Sequence, residues 1–134
     1  MLTYLWIAVG GALGSMARYW LTGLVAIVLG PQFPWGTILI NIAGSFVIGL
    51  FATLTVHRYP VSFDARAFVM VGLCGGFTTF SAFSLQTLEL ARLGRWFEAG
   101  GNVALSVALC LVAVWAGHAF AVLLGGAGPA PGAD

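Results

Sequence analysis

Gly75-Gly76-Phe77-Thr78-Thr79-Phe80-Ser81-Ala82-Phe83-Ser84 is the stretch that decides how this chain folds. It lies inside an uncharged run from Ala67 to Leu88, long and apolar enough to cross a bilayer. Two adjacent glycines weaken a helix, and four hydroxyls need partners where water is absent. Polar, breakable backbone at membrane depth lines a cavity or an ion site. The stretch therefore predicts a membrane helix broken near its centre, with a path or site for a small solute beside it.

The surroundings agree. The chain has 134 residues, 60% of them hydrophobic and 7% charged, with mean hydropathy +1.02. Soluble domains carry roughly a quarter charged residues. There is no lysine, and the formal net charge of +1 offers no basic patch for nucleic acid. Cys74 and Cys110 both fall in apolar segments without nearby histidines and read as packing residues rather than a disulfide or metal site. The N-terminus lacks a basic region before its apolar segment, which argues against a cleavable leader.

Four apolar segments follow one another, at about Leu2 to Leu29, Gly36 to Val56, Ala65 to Ala91 and Trp96 to Leu124. Each exceeds the roughly 20 residues that a bilayer core requires. The expected fold class is an all-α membrane protein with four transmembrane helices. Residues 1–124 form the transmembrane domain, and 125–134, rich in glycine, alanine and proline, form a disordered tail. With four spans, Arg58 and Arg66 fall on one side and Arg92 and Arg95 on the other. Two against two sets no orientation by the positive-inside rule. Either subtler cues decide, or copies insert both ways and pair antiparallel. Four helices also enclose little, and a path built between two protomers is the simple solution.

Within the spans, polar residues recur at four-residue spacing, which places them on one helix face. Gly10, Gly14 and Arg18 share a face of the first; the glycines read as a packing groove. Arg18 sits well inside the span, where a charge costs at least ~2.5 kcal/mol. It either snorkels to the interface or faces a water-filled vestibule that attracts anions; the vestibule is the favoured reading. Thr37, Asn41 and Ser45 share a face of the second span, and Asn102, Ser106 and Cys110 a face of the fourth. Each set is either a polar track or a means of bonding helices together. The Asn41 amide offers N–H donors suited to an anion. His118, alone near the end of the fourth span, reads as a packing or surface residue.

Phe80 and Phe83, three apart, project from one side of a helix. Their positive ring edges suit a dehydrated small anion, with Thr79 and Ser84 placed to accompany them. Unwinding near Gly75 to Thr78 would strip backbone carbonyls of their partners, and a cation such as Na⁺ satisfies orphan carbonyls at membrane depth. No carboxylate stands at the centre of any span: Asp64, Glu89 and Glu98 lie at or near segment ends, and Asp134 in the tail. The chain shows no nucleophile–base pair and no metal cluster, so an enzyme is not expected.

Three blocks carry a family resemblance: Gly10-Gly11-Ala12-Leu13-Gly14-Ser15-Met16-Ala17-Arg18-Tyr19, Gly36-Thr37-Ile38-Leu39-Ile40-Asn41-Ile42-Ala43-Gly44-Ser45-Phe46, and Gly72-Leu73-Cys74 running into the opening stretch through Ser84. In this order they resemble the Fluc/CrcB family of fluoride channels. The resemblance implies an antiparallel, dual-topology homodimer in the bacterial inner membrane, with two pores exporting fluoride passively through the lipid bilayer. It implies a central Na⁺ held by the carbonyls of Gly75 and Thr78. By position, Phe80 and Phe83 would line the fluoride pathway, Asn41 would coordinate or gate the ion, and Thr79 and Ser81 would belong to the same motif. Asn102 and Ser106 would continue the track, and Arg18 would stand near the vestibule. Ala82 and Gln86 depart from the family pattern, which commonly has Thr and Glu there. The alternative is a small proton-coupled exporter of the multidrug type, but that needs a carboxylate in the first span, and Asp64 is the first acidic residue.

Overall fold

The structure, a computed structural model, describes residues 1–57 and 60–125. Four helical segments are long and apolar enough to cross a membrane: Leu2–Leu29, Trp35–Val56, Phe63–Arg92 and Trp96–Leu124. Among the described residues there is no strand. The chain is an all-α, multi-pass membrane protein. Of the expected disordered tail, only the backbone of Gly125 is described; 126–134 lie outside, as does Arg58 of the orientation argument.

Helix α1, Leu2–Leu29, stops at Gly30, whose φ of 82° is open to glycine and strained for other residues. Pro31 follows and cannot continue the helix. Helix α2, Trp35–His57, starts where the Pro34 carbonyl accepts the Ile38 N–H at 3.1 Å. The third span begins as α3, Phe63–Arg66, with Ser62 Oγ accepting the Ala65 N–H at 3.2 Å. It continues as a π-helical segment, Ala67–Cys74, and a last α-turn, α4, Gly75–Phe77. After two extended residues, α5 runs Phe80–Arg92. Gly94, at φ 76°, turns the chain into α6, Trp96–Gly125. Arg95 caps this corner by donating from Nε to Glu98 Oε1 at 2.8 Å.

Two glycine seams hold the bundle. Along the first, α1 lies on the third span. A Cβ on Gly10 would stand 2.5 Å from the Phe68 carbonyl oxygen, and one on Gly14 2.3 Å from that of Leu73. Gly72 and Gly76 return the contact; a Cβ on Gly76 would meet Gly11 O at 2.5 Å. Along the second, α2 lies on α6, with Gly49 against Val114 O and Gly117 against Phe46 O, at 2.3 and 2.2 Å by the same measure. Backbones this close gain dispersion contacts that lipid cannot match. The largest fully buried side chains among the described residues are Ile38, Ile40 and Asn102. Leu24, Ile27, Val112, Trp115 and Leu123 all face outward, as expected where the solvent is hydrocarbon.

The helix breaks at the far end of the stretch expected to unwind, Gly75 to Thr78, and not at the glycine pair itself. Gly75 keeps helical dihedrals, φ −64° and ψ −37°, and the break falls at Thr78 and Thr79, at φ −84°, ψ 159° and φ −154°, ψ 117°. At Gly76 the missing side chain is used for contact rather than for flexibility: a methyl there would strike the backbone of α1.

Candidate functional site

The break is held open by competition for its hydrogen bonds. In an unbroken helix, Thr79 N–H would bond the Gly75 carbonyl. It bonds Asn41 Oδ1 instead, at 2.7 Å. Asn41 Nδ2 in turn donates to the Thr79 carbonyl at 3.1 Å. One amide of α2 thus serves both main-chain groups of one residue in the third span. Ala82 N–H, the helical donor for the Thr78 carbonyl, is taken by Thr79 Oγ1 at 3.1 Å. That is an N-cap, and it starts α5. Thr79 Oγ1 also lies 3.1 Å from Ser81 Oγ. On the other side, Thr78 gives both its N–H and its hydroxyl to the Cys74 carbonyl, each at 2.9 Å.

The carbonyls of Gly75 and Thr78 therefore lose their helical donors for identifiable reasons. Gly75 faces outward on the protomer. Thr78 O accepts from Arg18 Nη1 at 3.4 Å, and Gly76 O accepts from Ser15 Oγ at 3.4 Å. Arg18 and Ser15 reach the break because the Gly10–Gly14 seam brings α1 against this span. The four-residue periodicity that put Arg18 beyond these glycines thus predicted its face, and the seam determines what it meets.

Beyond the break lies a cavity of about 220 Å³, walled by Asn41, Phe80, Phe83, Ser106, Val107, Cys110 and Leu111. None of these side chains is charged. The two phenylalanine rings stand with centroids 5.1 Å apart and planes tilted by 49°. Phe83 is 8% exposed and set in the protomer, whereas Phe80 is 77% exposed and forms the outer wall. Of the residues singled out in the sequence, Asn41, Phe80, Phe83, Ser106 and Cys110 meet here. Thr79 and Ser81 form the cap next to it. Thr37 is buried on α2 and does not line the cavity.

Asn102 is placed otherwise. It is 0% exposed and joins two helices: Ser106 Oγ donates to Asn102 Oδ1 at 3.4 Å, Asn102 Nδ2 to Thr87 Oγ1 at 2.8 Å, and Thr87 Oγ1 to the Phe83 carbonyl at 2.8 Å. This chain ties Ser106 on α6 to the backbone that carries Phe83. Thr87 was not anticipated, and the only signal for it was its place four residues after Phe83, within reach of that carbonyl. Gln86 Oε1 is buried with no hydrogen-bond partner among the described residues. His118, far from the break along α6, bonds Thr53 Oγ1 through Nδ1 at 2.9 Å. Cys74 and Cys110 are both free thiols.

Residues 5–118 match the family described as CrcB-like protein, Camphor Resistance (CrcB). The chain belongs to the CrcB-like family. The break, its asparagine clamp and the aromatic pair all lie within the matched range. CrcB-like relatives of similar length are close in sequence. A protein of Methylocella silvestris named fluoride-specific ion channel FluC is 61% identical over 123 residues, covering 90% of this chain and 94% of the relative. Its namesake from Rhodospirillum rubrum is 59% identical over 125 residues, covering 92% and 97%. One from Opitutus terrae is 60% identical over 124 residues, covering 91% and 94%.

Proposed function

We propose that this protein is a fluoride-selective ion channel that lets fluoride leave the cell passively, and that it is not an enzyme. The observation that carries this reading is the cavity beside the break. Two aromatic rings, a carboxamide and a hydroxyl share one wall with no fixed charge. Fluoride is small and strongly hydrated. A selective path must replace its water with donors and positive ring edges, yet must not trap it. A carboxylate at that depth, the part a proton-coupled exporter uses, is absent from the cavity wall. Relatives at about 60% identity bear the name of fluoride-specific channels, and the same name excludes the multidrug-type alternative for them.

Each residue then has a task. Asn41 clamps Thr79 through its carbonyl and one N–H and keeps a second N–H for the ion. Thr79 caps α5 and sets the direction of Phe80 and Phe83. Ser106 Oγ spends its one proton on Asn102 Oδ1 at 3.4 Å, so its hydroxyl serves the anion as a donor when it turns from Asn102 toward the cavity. Phe80, turned outward on the protomer, meets a second copy in an antiparallel homodimer that closes the path. The carbonyls of Gly75 and Thr78, with their helical donors diverted, fit a sodium ion at the centre of that dimer, which would supply positive charge to oxygens that have lost their helical partners, the Thr78 oxygen sharing it with Arg18.

A liposome efflux experiment tests the reading. Purified protein should release fluoride rapidly and electrogenically, with negligible chloride loss. Efflux that stops without a proton gradient would support an exporter instead, and folded protein without any flux would remove the channel.

A further inference from the structure

Arg18 donates from Nη1 to the Thr78 carbonyl at 3.4 Å, one of the two carbonyls that the break sets free. No carboxylate neutralises it among the described residues: Asp64 accepts from Thr3 Oγ1 at 2.5 Å, and the one ion pair joins Arg95 to Glu98. Its position is not adjustable at the backbone, because the Gly10–Gly14 seam presses α1 onto this span with carbonyl contacts that leave no room for a methyl. The guanidinium thus brings an unpaired unit charge to an oxygen with two lone pairs, of which it uses one.

We propose that Arg18 tunes the cation affinity of the break, acting as a tethered competitor that keeps the Gly75 and Thr78 carbonyls from binding a monovalent cation too tightly. The inference rests on the sodium reading above and adds a residue to it. A cation on the other lone pair of the Thr78 oxygen would stand about 5 Å from the guanidinium nitrogen, and two like charges at that separation near a protein surface change a binding equilibrium by roughly tenfold or more. By linkage the effect is reciprocal: a bound cation loosens Arg18 from Thr78 by the same factor and releases it toward any anion nearby. The charge that draws anions to the channel thereby also limits how firmly its centre holds a cation.

The test is a sodium titration of thermal stability at constant ionic strength, with N-methyl-D-glucamine replacing sodium, on wild-type protein and on Arg18→Gln and Arg18→Lys. The half-saturating sodium concentration should fall at least tenfold in Arg18→Gln and stay within about threefold of wild type in Arg18→Lys, which keeps the charge. Coinciding wild-type and Arg18→Gln curves would overturn the role of Arg18 while leaving the sodium site standing. A wild type indifferent to sodium would overturn the site and this inference together. Arg18→Lys behaving like Arg18→Gln would overturn the argument from charge. The wild type alone gives a second readout that needs no variant to fold: the guanidinium nitrogen resonance of Arg18 should shift as sodium is added, and a resonance that stays fixed rejects the competition.

Discussion

The two halves of the third span were drawn from similar residues and behave as different materials. The half from Phe63 to Phe77 is pressed backbone to backbone against α1, through Gly72 and Gly76 on its own side and Gly10 and Gly14 on the other. The half from Phe80 to Arg92 meets α6 through side chains: the Phe83 and Leu90 faces and the Thr87–Asn102–Ser106 chain. The first is a contact with no adjustable parts. The second is made of rotatable groups around a space of about 220 Å³. A rigid seat for the break and a lined cavity beyond it call for these two kinds of packing, and the Thr78–Thr79 pair separates them.

The contrast can be broken most forcefully at the seam. Gly14→Val would drive a branched side chain into the Leu73 carbonyl and the Phe77 amide, neither of which can rotate away. Loss of more than about 3 kcal/mol is expected, seen as a collapse of monodisperse protein on size-exclusion chromatography; normal yield and melting would show that the seam can open. Asn41→Ala comes next. It leaves both main-chain groups of Thr79 without partners, at about 2–3 kcal/mol in thermal or denaturant unfolding, and fluoride flux should fall with it. Asn41→Asp keeps an acceptor for Thr79 N–H and should recover part of the stability but not the flux. On the cavity side the order of effects reverses. Phe80→Ile or Phe83→Ile should cut fluoride flux at least tenfold, about 1.4 kcal/mol in barrier, while elution volume stays that of wild type; unchanged flux in both would remove the ring-edge role. The smallest effect lies away from both. Gly100 is exposed on α6 with nothing near its missing Cβ, so Gly100→Ala should raise stability by about 0.5–1 kcal/mol. A loss there would reveal a third close contact, made in the assembled channel.

The same division explains what was readable beforehand. Length and apolarity placed four spans with ends within a few residues of those observed, because a bilayer imposes one requirement on every helix. The central break was legible from composition, and it falls at the end of the stretch expected, Gly75 to Thr78, but the part the glycines play was not. Glycine weakens a helix and also permits close approach, and only the presence of α1 decides which property is used at Gly76. Asn41 was legible as a polar residue on a buried face. Its clamp on Thr79 was not, because that depends on where α2 crosses a span 38 residues away in sequence. For Asn102 the two readings, polar track or bond between helices, could not be separated by spacing. Its burial and its bond to Thr87 show it joining helices, while Ser106, one turn on, reaches the cavity. The π-helical stretch Ala67–Cys74 left no signature in the residues, and we have no physical account of it.

An uninterrupted helix behaves like a screw thread: the direction in which a side chain points is tied to its depth, at 100° of rotation for every 1.5 Å of advance. Two extended residues cut that thread. Thr78 and Thr79 advance about 3.3 Å each and pass no fixed rotation onward. The phase of α5 is therefore set afresh, by the Thr79 cap and the asparagine that grips it. Phe80 and Phe83 take their bearing from α2 rather than from the glycine seam. An altered tilt of α1 need not rotate the rings out of the cavity wall, and the rings can be re-aimed without disturbing the seam.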